Sequence, residues 1–299
     1  MKNGKLRIAL MIVLSLILLA SVTLIIQRQV HLEREEAASK AALELIQSTA
    51  APTPEPATEP GQELATAPVE TAEPTPEPTP EPSPEPTPWV WKDAPVEDDE
   101  NYARLQSIDL SALQAENPDV IGWLEIPDTG ISYPLLQGED NDTYLYHTWQ
   151  KEFSYTGSIF LEQNCSPELD DFSIIIYGHN TRNGTMFGNL KKYKEQDYAD
   201  EHPYIYIVDD NGVHRYEVFS SFEAPIRSLT YRLAITEVED MEEFLADCIS
   251  NSVIDTGVTP GITDRILTLS TCTGTGTYHS RWVVKAKISP ETPNPDYEE

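Results

Sequence analysis

The chain has 299 residues, with 50 acidic side chains against 20 basic ones, a formal charge of −30. Such acidity repels phosphate backbones, and no lysine or arginine cluster interrupts it, which argues against any nucleic-acid partner. Thirteen of the 24 prolines fall between Pro52 and Pro88, a stretch too poor in apolar residues to build a core. From Asn101 to Pro290 the chain carries 13 basic and 29 acidic side chains, a formal −16. That leaves roughly 190 residues, enough for one sizeable core and one globular domain.

In chain order, residues 1–5 precede an apolar run over residues 6–26, whose only charge is Arg7 at its edge. As a helix rising ~1.5 Å per residue it reaches about 31 Å, enough to cross a hydrocarbon core of ~30 Å. The rival reading is a cleaved signal peptide. Its apolar region is usually shorter, roughly 7–15 residues, and the best cleavage site, around Ala20, has Leu18 where a small residue is wanted. An uncleaved anchor is therefore expected. Lys2, Lys5 and Arg7 before the run and Arg28 and Arg34 after it give only a slight charge bias. From the short leading segment, residues 1–5 are expected in the cytoplasm and the part after the span outside the cell.

Residues 27–49, rich in Ala, Glu and Leu, continue as a juxtamembrane helix. Residues 50–88 then change to Thr-Pro-Glu-Pro and Ser-Pro-Glu-Pro units. Repeated X-Pro pairs disfavour helix and favour extended polyproline II, which at ~3.1 Å per residue spans on the order of 120 Å. A disordered spacer that lifts the domain off the membrane is expected, rather than a ligand for a proline-reading domain. Trp89 and Trp91 open the domain, expected over residues 89–290, as a first strand packed on it. Residues 291–299 form a polar tail.

Within the domain, Leu110 to Glu116 predicts a short helix stopped by Asn117-Pro118. Short apolar runs predict strands at Val120–Ile126, Ile131–Gln137, Ser158–Glu162, Phe172–Tyr177, Tyr204–Val208, Val213–Phe222, Arg265–Ser270 and Arg281–Ile288. Asn211-Gly212 marks a hairpin turn. Val238, Met241, Phe244, Leu245, Cys248 and Ile249 recur at helical spacing, and Thr185–Tyr193 predicts a second short helix. Eight short strands with few helices predict a mainly β fold, a closed barrel or sandwich.

The cysteines are Cys165, Cys248 and Cys272. An odd number in an exported chain leaves at least one thiol unpaired. Cys248 lies on the apolar face of the helix and reads as a small hydrophobe, and Cys165, in a polar loop, either stands alone or pairs with it. Cys272 ends a strand and opens a loop, a position where a substrate can reach the sulfur. Nine residues on, Arg281 begins the next strand, so a hairpin holds thiol and guanidinium near each other. A fixed cation favours the thiolate and can bind an oxyanion. The proton carrier that a cysteine nucleophile needs is expected at His179, which ends an apolar strand, rather than at His279 in the loop beside Cys272. His147, His202 and His214 read as surface residues, and no His/Cys/Asp set has metal-ligand spacing.

Together these residues resemble the sortases, cysteine transpeptidases of the bacterial cell surface, and class B most closely. The signature Thr-Leu-x-Thr-Cys stands as Thr268-Leu-Ser-Thr-Cys272, the following arginine as Arg281 in Ser280-Arg-Trp, and the histidine as His179 in Tyr177-Gly-His-Asn. Met186-Phe-Gly-Asn-Leu, Asn117-Pro-Asp-Val-Ile-Gly-Trp-Leu-Glu-Ile-Pro and Tyr133-Pro-Leu-Leu-Gln-Gly-Glu-Asp-Asn are similar to further class B segments. The helix over residues 237–250 matches the class B helix between the sixth and seventh strands. Thr273 and Gly274 depart from the acidic residues of some class B members, which leaves an acidic third site residue without support.

The resemblance implies an eight-stranded sortase-type β-barrel with a few peripheral helices, and a catalytic set of Cys272, His179 and Arg281. Ser270 and Thr271 would contact a sorting peptide cleaved at threonine. The acceptor would be an amine of peptidoglycan or of a surface protein, with no cofactor and no metal. The alternatives are a membrane-tethered, non-catalytic binding module and a cysteine protease that releases the peptide to water.

Overall fold

The computed structural model describes residues 2–49, 91–96, 98–273 and 279–291. The Pro/Glu segment, Trp89, residues 274–278 of the loop after Cys272 and the tail beyond 291 lie outside the described residues. Eight strands close into a barrel: β1 (Val120–Ile126), β2 (Ile131–Leu136), β3 (Ile159–Leu161), β4 (Ser173–Tyr177), β5 (Tyr204–Asp209), β6 (Gly212–Pro225), β7 (Arg265–Cys272) and β8 (Ser280–Ile288). Their order around the barrel is β1-β2-β3-β4-β7-β8-β6-β5, with β5 pairing back to β1. The pairs β2–β3 and β4–β7 are parallel and the rest antiparallel. The expected mainly β, eight-stranded barrel is the fold found.

Alternation along the strands decides which side chains fill the interior. Leu124 and Ile126 of β1, Ile174 and Ile176 of β4, Leu267 and Leu269 of β7 and Val284 and Ala286 of β8 all join the central cluster. The outer faces are apolar as well, because helices cover them. Trp123 and Val208 face a second cluster with Leu105 of α2 (Glu100–Leu105) and Leu113 of α3 (Ser111–Glu116). Ile266 and Phe219 face Met241, Phe244 and Cys248 of α5 (Val238–Ser250). Strands buried on both sides read as continuous apolar runs, which is why β1 and β4 stand out in the sequence. Asp209 accepts the backbone N–H groups of Asn211 and Gly212 and so forms the β5–β6 hairpin turn.

Several expectations change. The helix expected over Thr185–Tyr193 is replaced by a 3-10 turn at Leu190–Lys194. Met186 has φ +49°, and Asn180 bridges to Met186, so the chain folds back there instead of coiling. Trp91 is no strand residue. It packs on the core with the Arg265 guanidinium 4.0 Å from its ring centroid, beside an isolated Asp93–Pro290 bridge. The short helices α2 and α4 (Gln196–Glu201) carry too few turns to show a period in the sequence. The long helix α1 (Lys2–Thr49) buries Ala38, Ala42 and Ile46 against the α2–α3 side of the barrel, so the domain's packing includes residues ahead of 89. His214, expected at the surface, is only 13% exposed and lies between Asp93 and Asp209.

Candidate active site

Three neighbouring strands bring the site together at one rim of the barrel. The last parallel pair of β4 and β7 is Tyr177 with Ser270, so two residues further on His179 lies just past the end of β4 and Cys272 at the end of β7. Across the β7–β8 ladder Cys272 pairs directly with Arg281. Directly paired residues of an antiparallel ladder project to the same face. Leu267 and Leu269 point inward, so Cys272 and Arg281 share the outer face with Ser270 and Val283. The thiol is thus flanked by a histidine strand on one side and an arginine strand on the other.

The rim is stitched beyond the regular ladder. Thr271 Oγ1 donates to the Gly178 carbonyl at 2.7 Å, the Gly178 N–H donates to the Ser270 carbonyl at 3.2 Å, and Asn180 Nδ2 donates to the Cys272 carbonyl at 2.6 Å. Gly178 has no room for a side chain. A Cβ there would lie 2.5 Å from Ile159 Cδ1 and 2.6 Å from Phe187 Cδ2. This close approach lets Phe187 pack beneath the strand end from which His179 emerges.

His179 is half-buried, and its Nε2 lies 2.9 Å from the carbonyl oxygen of Leu145. A carbonyl only accepts, so Nε2 carries a proton, and Nδ1 is left as the nitrogen that exchanges one. The Tyr146 ring stands 6.4 Å away. His279 is exposed, with its carbonyl accepting the Ile226 N–H.

Cys272 is the exposed thiol among three free cysteines, and Cys165 and Cys248 are buried and unpaired. Burial pushes the Cys165 thiol up to about 12, with Glu162 and Asp171 adding to it. Burial raises Cys248 as well. Neither inner thiol is placed to supply a thiolate at neutral pH.

Ser270 and Thr271, expected to contact a peptide, are 1% and 2% exposed. Ser270 Oγ bonds Tyr231 Oη at 2.9 Å, and Thr271 is held by Gly178. Tyr231 belongs to the β6–α5 connection and lies within electrostatic reach of both Cys272 and Arg281. Burial first and then Cys272 raise its hydroxyl to about 12, so it stays neutral. Sequence reasoning missed the roles of Tyr231, Asn180 and the Leu145 carbonyl: Asn180 stands in the quoted Tyr177-Gly-His-Asn segment, but its bond to the Cys272 carbonyl joins residues 92 apart. Among the described residues, no group of three His, Cys, Asp or Glu side chains is placed to hold a metal ion.

A sortase-domain family model matches residues 124–289, a span that contains Cys272, His179 and Arg281. The chain belongs to the sortase family. It is 38% identical to sortase B of Listeria monocytogenes over 181 residues, covering 60% of this chain and 74% of that protein. It is 32% identical to sortase B of Staphylococcus aureus, covering 54% and 67%. Among solved structures, a Staphylococcus aureus sortase B–substrate complex matches with a TM-score of 0.58 at 31% identity, covering 61% of this chain and 85% of that one. Clostridium perfringens sortase B matches with a TM-score of 0.57 at 34% identity, covering 60% and 99%. These relatives are class B sortases, and this chain is a cysteine transpeptidase of that kind.

Proposed function

We propose that this sortase cleaves a sorting peptide at threonine through a thioester and passes the acyl group to a cell-surface amine. The observation that carries the reading is the placement of Cys272 between the His179 and Arg281 strands at one rim. His179 Nδ1 takes the proton of the Cys272 thiol, the resulting thiolate attacks the threonine carbonyl, and Arg281 binds the oxygen that gains charge. The C–N bond breaks as His179 Nδ1 gives its proton to the leaving amine. An incoming amine then attacks the thioester, His179 takes up the proton it sheds, and the thiolate is released. Ser270 and Thr271 serve by holding the rim, since their hydroxyls are engaged within the protein. The amine belongs to peptidoglycan or to another surface protein, in keeping with related sortase B structures that hold a substrate or a glycine tripeptide.

The stretch Val13–Val30 of α1 is long and apolar enough to cross a bilayer. We read it as a single-pass anchor that leaves the catalytic domain outside the cell, where both partners are.

The test is mass spectrometry of the protein incubated with threonine-containing pentapeptide libraries, with and without amines. The expected result is an acyl adduct on Cys272, discharged faster when amine is added and absent from Cys272→Ala. An adduct mapped to Cys165, or discharge that ignores amine, overturns the reading.

A further inference from the structure

Helix α1 carries two apolar surfaces in succession. From Met11 to Val30 its described apolar side chains are exposed. Eight residues on, Ala38, Ala42 and Ile46, spaced at i, i+4 and i+8, are 9%, 0% and 6% exposed. That spacing is one face of a helix. The face packs into the cluster built by Leu105, Leu113, Val120 and Trp149. Trp149 is itself 3% exposed, and its Nε1–H donates to the Ala38 carbonyl at 2.8 Å. A side-chain donor committed to a helix carbonyl fixes the register of the contact as well as its existence. Ser39, Lys40 and Leu43 of the same helix line a cleft with Tyr133, Asn183 and Met186. Asn183 and Met186 lie on the loop that follows His179, and the Met186 N–H donates to Tyr133 Oη at 3.0 Å. The helix therefore runs along the His179 side of the rim.

We propose that Ala38, Ala42 and Ile46 form a latch by which the anchor helix clasps the barrel and sets the working height of the catalytic rim. The inference rests on the anchor reading above. Eight residues of helix between Val30 and Ala38 span about 12 Å, so the latched domain works close to the bilayer surface. The Pro/Glu stretch follows the latch in the chain. That intervening length of chain adds to the tether only once the latch opens. The small side chains suit this role: Ala38 and Ala42 allow close approach while holding little apolar area, which keeps the contact separable.

The experiment uses the full chain in lipid vesicles, in a Cys272→Ala background, with one thiol introduced as Ala42→Cys or as Gln47→Cys. Gln47 is exposed and five residues from Ala42, about 7.5 Å further along the same helix, so the Ala38→Arg comparison at each position separates burial from height. Maleimide labelling at position 42 is expected to be at least tenfold slower than at position 47. Adding Ala38→Arg should bring the two rates together, with Cys165 and Cys248 still unlabelled as proof that the barrel stays folded. In parallel, a dye attached through Asp170→Cys, an exposed site on the barrel, reports height by energy transfer to an acceptor lipid. Transfer should fall at least twofold on adding Ala38→Arg. Equal labelling rates without Ala38→Arg, or transfer unchanged when position 42 opens, overturn the latch. A chain that washes off the vesicles in alkaline carbonate refutes the anchor instead, and the labelling comparison on the released chain still tests the docking.

Discussion

Among single residues, the side chains of the candidate site differ in how they are held. His179 is fixed by a strand end and by the Leu145 carbonyl, whereas His279 is exposed beside a loop. We expect His179→Ala to lose ~10²–10⁴-fold in transpeptidation rate, the usual worth of a positioned proton carrier. His279→Ala should lose little. Arg281→Lys keeps the charge but not the planar fork that can give two parallel hydrogen bonds. It should stay folded by circular dichroism and be nearly as slow as Arg281→Ala. One peptide and one amine suffice to compare the four variants. Full activity in Arg281→Lys would reduce the arginine to a bulk charge, and a dead His279→Ala beside an active His179→Ala would overturn the assignment.

Between strands, the β4–β7 pair sets how His179 and Cys272 lie relative to each other. Parallel pairing ends at Tyr177 and Ser270, and the three bonds from Thr271, Gly178 and Asn180 carry the alignment two residues further. Thr271→Val keeps the shape but leaves the Gly178 carbonyl without its hydroxyl partner, at a cost of about 1–3 kcal/mol. The expected outcome is a lower Tm and a fall in kcat with KM for the peptide little changed, while Thr271→Ser restores most of both. A rise in KM alone would instead mean that the hydroxyl contacts the peptide. Cys272, His179 and Arg281 are legible in the sequence because each stands at a strand end inside a local pattern. Tyr231 is not, because it reaches Ser270 across 39 residues from an irregular connection.

Across the molecule, a buried ionic cluster closes the end of the barrel where residues 91–96 join it. His214 lies between Asp93 and Asp209, and Arg265 Nη2 donates to Asp93 at 2.6 Å while its guanidinium covers Trp91. Burial by itself would lower the His214 pKa, but the two carboxylates outweigh it and raise it to about 9. Asp93 and Asp209 are correspondingly held below the usual carboxylate range, again against the pull of burial. A raised histidine pKa contributes stability that is complete below the unfolded value near 6.5 and is lost as pH rises through about 9. Depressed carboxylates act in the opposite sense and lose their contribution as pH falls through their folded values. The domain should therefore lose about 2 kcal/mol between pH 7 and pH 10 from His214 alone. His214→Gln should be less stable at pH 7 and show a flatter decline, read as Tm against pH. A wild-type Tm that stays level to pH 10 would show that His214 is not held as a cation.

Neighbours along the chain encode a definite part of this protein. Val120–Ile126 can be placed to the residue, because an apolar run bounded by Asn117-Pro118 and Asp128 needs no partner to be recognised. The α5 helix and the Asn211-Gly212 turn are legible in the same way, whereas β7 runs two residues past the expected Ser270 to Cys272 and β4 ends at Tyr177, two residues before His179. Contacts between residues distant in sequence emerge only once the barrel has closed. The Leu145 carbonyl that sets the tautomer of His179 is 34 residues away, the Asp93 partner of His214 is 121 away, and the Ala38 carbonyl that receives Trp149 is 111 away. The physical reason is that a backbone carbonyl is the same group at every residue, and an alanine face or a lone histidine carries no periodicity of its own. Their roles come from what the closed barrel brings beside them.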